Sequence, residues 1–286
     1  MNKISIWHQY CLPQHFLSRL LGRIANIRCK FIKNAMIKAI IKIYKVNMNE
    51  ALVERAEDYP TFNQFFIRHL KASARPFPHN NLLIASPADG VISQLGQITE
   101  GRLIQAKGHD FSLMELLGGE TSSYKEFIDG LFATIYLSPK DYHRIHMPLS
   151  GNLRQMTYIP GKLFSVSPKT TQMVPELFAR NERVVCWFDS EHGPFALVLV
   201  GAFFVASIAT TWAGVVAPGN CKTIQTWDYA ADKQIHFKQG DEMGYFQFGS
   251  TVIMLLPKGI AKWQPHLSAE FAVKLGQVMG HIEEKV

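Results

Sequence analysis

The hydrophobic rhythm of the chain changes once, near Pro76-Phe77-Pro78. Before that point apolar residues recur at helical spacing. Leu17, Leu20, Leu21 and Ile24 share one face with Arg19 and Arg23 off it, and Ile37, Ile40, Ile41 and Tyr44 repeat the i, i+3, i+4, i+7 pattern beside a stripe of Lys38, Lys42 and Lys45. Two basic amphipathic helices are predicted. Thr61 with Gln64 three residues later reads as a capping box ahead of Phe65, Phe66 and Leu70, which predicts a helix over roughly 61–71. Beyond the prolines the chain turns to short β-rich runs separated by turns: Leu131–Leu137, Arg183–Phe188, Phe195–Ile208, Lys222–Trp227 and Val252–Leu256. Phe111–Leu117 alone among them reads as helix. The connections are too short for helical crossovers, so the strands should pair mainly antiparallel. The expected fold class is α+β, a helical N-terminal segment (1–80) followed by a β-rich domain (81–286). From Pro265 onward, Leu267, Phe271 and Leu275 fit a short helix or an irregular edge.

Charge distribution sharpens the reading of the first part. The formal net charge is +7, from 30 Lys and Arg against 23 Asp and Glu. Residues 1–49 hold nine of the basic residues and no acidic one; 30 less these nine leaves 21 basic against 23 acidic residues in the rest. All the excess positive charge therefore lies on the amphipathic segment. Apolar faces sunk into a headgroup boundary, with each cation near an anionic surface adding about 1 kcal/mol, make an interfacial anchor. The alternative is that these helices pack on the remainder of the protein with their lysines solvated. Basic residues interrupt every apolar run before the ~20 residues that a bilayer span needs, and no signal-peptide core is visible. The expected location is peripheral, on the cytoplasmic side of the cell membrane. Nucleic acid is not expected as a partner, because the segment lacks interleaved exposed aromatics. Cys11, Cys29, Cys186 and Cys221 are scattered without a C-x-x-C pair, which fits a reducing compartment and no disulfide framework.

Candidate chemistry gathers at three turns. Phe248-Gly249-Ser250-Thr251 precedes the apolar run Val252–Leu256: Gly249 allows strained dihedrals and the Ser250 hydroxyl can reach the preceding carbonyl, as an N-to-O acyl shift requires. Asp89 stands in Ser86-Pro87-Ala88-Asp89-Gly90, and His146 follows the run Leu131–Leu137 and the turn at Pro139. An Asp–His–Ser set could assemble from these loops, the carboxylate fixing the imidazole tautomer and the imidazole taking the serine proton. Singly, Asp89 reads as a turn residue and His146 as a satisfied histidine.

Together these segments resemble one family over nearly the whole chain, the bacterial phosphatidylserine decarboxylases. The pieces that carry the resemblance are FNQFFIRHLKASARPF (62–77), SPADGVISQLGQI (86–98), KGHDFSLMELLGG (107–119), YLSPKDYHRIHMPLSG (136–151), PGKLFSVSP (160–168), LFARNERVVCWFD (177–189), WAG (212–214) and FGST (248–251). The visible departure is Phe248, where bacterial members usually carry Leu before Gly-Ser-Thr. It exchanges one apolar residue for another and keeps both reacting residues.

The resemblance implies a self-processing proenzyme. Asp89 and His146 would assist Ser250 in cleaving the Gly249–Ser250 bond, leaving a large chain, 1–249, and a small chain, 250–286, that stay associated. The resemblance also implies the cofactor, a covalent pyruvoyl group formed from Ser250. Phosphatidylserine would join that group as a Schiff base and leave as phosphatidylethanolamine and CO₂, a step of phospholipid biosynthesis. His143 would serve decarboxylation as proton donor or carboxylate contact; the alternative reading is a surface histidine on the same loop. Ser165 in PGKLFSV is a candidate substrate contact or a turn serine, and Arg180 and Arg183 could meet a phosphate or brace the fold. Besides phosphatidylserine, the implied partners are anionic membrane lipids; any higher oligomer is left open. His143-x-x-His146 is not read as a metal site, since no third ligand has recognisable spacing and His109-Asp110 reads as a turn. Two rivals remain: a lipid hydrolase using Asp89–His146–Ser250 as an ordinary triad, against which stands the lack of a G-x-S-x-G elbow, and a non-catalytic membrane-surface domain with an inert Gly-Ser turn.

Overall fold

The computed structural model of the protein describes residues 10, 12–78, 80–119, 122–203, 207–218, 222–230, 235–247 and 250–283. Phe248 and Gly249 lie outside the described residues, as do Cys11 and Cys221. The architecture is the expected α+β: helices at the N-terminal end, then a mostly antiparallel β-rich body.

Its centre is a nine-stranded sheet, labelled in chain order β1 (Gly90–Gln97), β2 (Leu131–Leu137), β3 (Gly151–Ile159), β4 (Arg183–Ser190), β5 (Gly193–Val200), β6 (Gln225–Asp228), β7 (His236–Phe237), β8 (Ser250–Leu256) and β9 (Ala272–Val273). The spatial order is β6-β3-β4-β5-β8-β2-β1-β9, with β7 also on β3 and every pairing antiparallel. All seven residues of β8 are buried. Such a strand is covered on both faces, which explains why Val252–Leu256 reads as a continuous apolar run rather than an alternating one. Successive side chains feed different cores: Val252, Met254 and Leu256 join one cluster, Ile253 and Leu255 the other.

Helices α1 (Gln14–Ala25) and α2 (Lys30–Tyr44) form where the periodicity predicts them. Ala25 and Ile37 are buried in a third cluster with Tyr59, Phe62, Phe65 and Phe66, whereas Phe16, Phe31 and Ile43 stand 60%, 85% and 69% exposed. The pair thus packs on the protein with one face and leaves apolar side chains free on another. Among the described residues no helix is long and apolar enough to cross a membrane.

Several boundaries differ from expectation. The helix predicted over 61–71 is only α3 (Phe62–Phe66), capped as foreseen by Thr61 Oγ1 accepting the Gln64 N–H at 3.1 Å. Residues 69–71 instead extend to pair with 50–52, the Leu52 N–H donating to His69 and the Lys71 N–H to Glu50. Phe111–Leu117 divides into a hairpin strand, His109–Ser112, and a helical turn, Leu113–Leu116, that Ser112 caps. His109 and Asp110 accordingly lie on a strand rather than in the turn. Phe195–Ile208 is two strands, because the chain leaves the sheet after Val200 and Ser207–Thr210 joins a second, four-stranded sheet. The tail after Pro265 makes two short strands, β9 and Val278–Ile282.

Candidate active site

Sheet register collects the sequence candidates at one end of the central sheet. Val91 pairs with Tyr136, Tyr136 with Thr251, and Thr251 with Val200, so a single rung crosses β1, β2, β8 and β5. Asp89 stands immediately before β1, Ser250 opens β8 one residue before the rung, and Ser138 and Ala202 follow β2 and β5 at the same end. Gly90 is required here, since a Cβ would collide with the Tyr136 carbonyl.

The histidines reach the same end by another pairing. In the four-stranded sheet, Arg144–His146 lies antiparallel to Glu242–Gln247, with Glu242 opposite His146 and the Phe246 N–H donating to the His143 carbonyl at 3.0 Å. The strand that leads directly to the Gly249-Ser250 segment therefore carries both histidines alongside it. Arg144 secures this arrangement, its Nη1 donating to Glu242 at 2.6 Å and its Nε to the Ile67 carbonyl at 2.8 Å.

His143 is completely buried, its ring centroid 4.2 Å from that of Phe66. Burial, aided by the nearby Arg68 charge, lowers its pKa to about 3, so the ring is neutral near pH 7. Its Nδ1 lies 2.8 Å from the Asp141 carbonyl. A carbonyl only accepts, so the proton sits on Nδ1 and the Nε2 lone pair is exposed to the interior. Among the described residues that Nε2 has no hydrogen-bond partner. His146 carries the same tautomer, since its Nδ1–H donates to the Gly240 carbonyl at 2.7 Å. Its Nε2, however, faces the Tyr142 hydroxyl at 3.3 Å, and burial lowers its pKa too.

Asp89 is held by other partners. Arg75 donates Nε to one carboxylate oxygen at 2.7 Å and Nη2 to the other at 2.6 Å, and the Leu275 N–H adds a third bond at 2.8 Å. Glu50 takes a further bond from Arg75 Nη2 at 2.7 Å. Burial opposes the Arg75 charge, yet the two carboxylates outweigh it and raise the guanidinium pKa. Among the described residues no hydrogen bond joins Asp89 to His146, although both border the same end of the sheet. Ser250 is fully buried, and its Oγ has no hydrogen-bond partner among the described residues. An orphaned buried hydroxyl costs about 1–3 kcal/mol, and such costs persist where chemistry needs the free group.

A cavity of about 530 Å³ is reached through neighbours of these groups, since none of Asp89, His143, His146 and Ser250 lines it directly. Tyr136, Ser138 and Phe66 border it from the site, while Leu21 of α1 and Met36, Ile40 and Tyr44 of α2 supply an apolar wall. Ser165 lies on its rim with Ser167. Arg183 is a brace, buried and donating to the carbonyls of Leu116, Asn181 and Glu115. Arg180 points elsewhere. Sequence reasoning missed Arg75, Tyr142 and the helix residues of the cavity wall. Arg75 and Tyr142 stand in segments that carried the family resemblance but had no chemistry attached, and although Leu21, Ile40 and Tyr44 fall on the apolar faces that the spacing predicts, that spacing gives no sign that they border a cavity.

A buried serine whose hydroxyl has no partner among the described residues, the buried His143, the half-buried His146 and an apolar cavity make an enzyme site suited to an apolar substrate, on a mainly antiparallel α+β scaffold. The phosphatidylserine decarboxylase pattern matches residues 62–281, and a second pattern, described as PSD, matches residues 4–45. The chain is 53% identical to the phosphatidylserine decarboxylase proenzyme of Hahella chejuensis, with 100% of this chain and 96% of that protein aligned. It is 53% identical to the proenzyme of the same name from Marinobacter nauticus over the whole of both chains, and 54% identical to that of Pseudomonas putida over 96% of each. The chain belongs to the phosphatidylserine decarboxylase family.

Proposed function

We propose that the protein is a self-processing phosphatidylserine decarboxylase, a carboxy-lyase that makes phosphatidylethanolamine and CO₂. The observation that carries this reading is Ser250, whose hydroxyl is buried and, among the described residues, unpartnered at the first position of a strand buried along its whole length.

Maturation begins when Ser250 Oγ adds to the Gly249 carbonyl and loses its proton to a neutral imidazole. The peptide C–N bond breaks, an ester C–O bond forms, and the Ser250 nitrogen is freed as an amine. Proton removal from the Ser250 Cα then expels the Gly249 carboxylate, and water converts the dehydroalanine to a ketone with loss of ammonia. In this reading His146, with its lone pair on Nε2, is the base, and Asp89 supplies negative charge at the same sheet end. Arg75 holds Asp89 in the precursor, so a direct Asp89–His146 contact requires that grip to loosen. Ser250 fits the pyruvoyl group, because among the described residues its hydroxyl makes no structural bond that the conversion would break. The group supplies an electrophilic carbonyl, the electron sink that ordinary side chains lack.

The chain's other residues hold the substrate and move its protons. The wall of Leu21, Met36, Ile40 and Tyr44 takes acyl chain and excludes water, with Ser165 a polar contact at the rim. His143, oriented by the Asp141 carbonyl, holds or returns a proton at Nε2 during turnover. Attachment to the membrane is peripheral and cytoplasmic, through the first two helices, and the chain divides functionally into 1–80 and the catalytic 81–286. After cleavage β8 stays between β5 and β2, which keeps the chains 1–249 and 250–286 together.

Denaturing mass spectrometry of freshly purified protein tests the proposal, alongside CO₂ release from detergent-dispersed phosphatidylserine. Wild type should give two chains, the smaller blocked to Edman degradation and reactive with hydroxylamine, and should release CO₂. Ser250→Ala should give one inactive chain. A wild-type protein that hydrolyses lipid as a single chain would establish the triad hydrolase instead, and normal fragments from Ser250→Ala would rule out the mechanism.

A further inference from the structure

The segment 162–167 separates two cavities. Ser165, Val166 and Ser167 border the apolar one described above, whereas Lys162 and Phe164 line another of about 370 Å³ on the outer side, closed by the first turns of α1. This second cavity is cationic. Among the described residues Arg19, Lys162 and Arg180 line it, no carboxylate does, and none of the three forms an ion pair.

Its walls are fixed by specific bonds. Gln14 Oε1 accepts the Leu163 N–H at 2.8 Å, and His15 Nε2 donates to the Gly161 carbonyl at 2.9 Å, tying α1 to the segment that carries Lys162. The Arg180 guanidinium lies 5.0 Å from the Phe164 ring centroid and 5.7 Å from that of Tyr10. Stacking of this kind orients the planar fork while leaving its donors free. Among the described residues Arg180 gives one hydrogen bond, to the Pro175 carbonyl at 3.3 Å, and Arg19 one, to the His15 carbonyl at 3.2 Å. Most of their N–H donors remain available.

The surroundings indicate what fills the cavity. Leu12, Tyr10 and Phe16, at its mouth, are 37%, 49% and 60% exposed. Cations ringed by exposed aromatic and apolar side chains are the arrangement of a membrane interface, where rings sit at headgroup depth beside phosphates. Arginine forks match the geometry of a phosphate oxygen pair.

We propose that Arg19, Lys162 and Arg180 form a second lipid site, which binds the phosphate of an anionic phospholipid in the bilayer and is distinct from the substrate cavity behind Ser165. An occupied site fastens α1 to the 162–167 segment at the membrane surface. The inference rests on the peripheral attachment proposed above and adds residues of the β-rich body to it.

Co-sedimentation of the matured full-length enzyme with phosphatidylcholine vesicles, with and without phosphatidylglycerol, tests the site. Lys162→Gln with Arg180→Gln should lose about tenfold in binding to the phosphatidylglycerol vesicles, given the usual contribution of each cation near an anionic surface, and little on phosphatidylcholine alone. Lys107→Gln with Lys125→Gln removes equal charge elsewhere and should change binding less than about twofold. KM for phosphatidylserine dispersed in neutral detergent should stay within about twofold of wild type, because no second lipid is presented there. Equal losses in both double variants would overturn the site in favour of diffuse charge attraction. A KM rise in detergent matching the vesicle defect would assign the phosphate to the substrate and overturn it as well. Wild type failing to bind anionic vesicles would remove the attachment reading and the site together. Lys162→Gln alone, at an exposed position, repeats the comparison if the double variant does not fold.

Discussion

Arg75 grips Asp89 with two parallel hydrogen bonds, 2.7 and 2.6 Å long, inside a site where both side chains are nearly buried. Breaking such a pair by removing one partner strands the other charge and costs about 3–5 kcal/mol. In a Ser250→Ala background, which holds the protein in one covalent state, Arg75→Ala should therefore lower stability by about that amount. Adding Asp89→Asn should restore part of the loss, since the stranded carboxylate is then neutral. Additive losses in urea denaturation would show that the two residues are not coupled. With Ser250 intact, Asp89→Asn alone should leave the chain uncleaved on a denaturing gel.

Acidification should destabilise the precursor. An unfolded histidine takes up a proton below about pH 6.5, whereas buried His143 does not until about pH 3. The unfolded state thus binds more protons across that window, and stability falls as pH drops through it, by up to about 1.4 kcal/mol per pH unit for each such histidine. His146 and His69 are shifted downward by burial and act in the same direction. Asp141 opposes them: burial raises its pKa, so the folded state keeps its proton where the unfolded carboxyl has lost it. Three histidines act against that one carboxyl, so the histidines set the sign just below pH 6.5. The denaturation midpoint of Ser250→Ala should fall between about pH 7.5 and about pH 5.5, and His143→Gln should flatten the slope. A midpoint that rises on acidification would contradict the assignment of neutral histidines.

Exposed apolar side chains on the first two helices make a different prediction from their lysines. Phe16, Phe31 and Ile43 are largely in water, and transferring such a side chain to an apolar phase gains about 1.5–3 kcal/mol. Phe31→Ser with Ile43→Ser should reduce partition onto vesicles by at least about tenfold at high salt as well as low, while changing stability by less than about 0.5 kcal/mol per site. Lys38 is a weaker probe, because it pairs with Glu57 at 2.7 Å. Unchanged co-sedimentation of the double variant would mean that these side chains face no bilayer.

Legibility in the sequence followed how local each signal was. The Ser250–Leu256 and Leu131–Leu137 strands and the Gln14–Ala25 and Lys30–Tyr44 helices were visible because each carries its own apolar pattern over several residues. The helix predicted over 61–71 was too long because the pairing of residues 69–71 with 50–52 is a contact between segments, and local propensity cannot report it. The same limit applied to the site. Ser250, Asp89 and the two histidines stood out through turn context and family resemblance, but the grip of Arg75 on Asp89 joins positions 14 residues apart through folded geometry. The match of Tyr142 to His146 and the inward face of Met36 and Ile40 likewise exist only once the chain is folded.

The two histidines differ in what their Nε2 atoms face. Each carries its proton on Nδ1, but His146 Nε2 already faces the Tyr142 hydroxyl, whereas His143 Nε2 is buried without a partner among the described residues. If His146 serves cleavage and His143 serves turnover, His146→Ala should remain a single chain. His143→Ala should then mature to chains 1–249 and 250–286 and lose about 10²–10⁴-fold in decarboxylation, the range for a positioned proton-transfer group. Tyr142→Phe removes only the hydroxyl that His146 meets, so its defect should appear in the rate of cleavage rather than in kcat of enzyme already matured. The free lone pair of His143 favours one specific alternative, in which His143 itself takes the Ser250 proton. In that case His143→Ala stays uncleaved, and His146→Ala processes normally. Mass spectrometry of the two single variants, followed by kinetics on whichever matures, decides between these assignments; a His143→Ala enzyme that both matures and decarboxylates at wild-type speed would exclude His143 from either step.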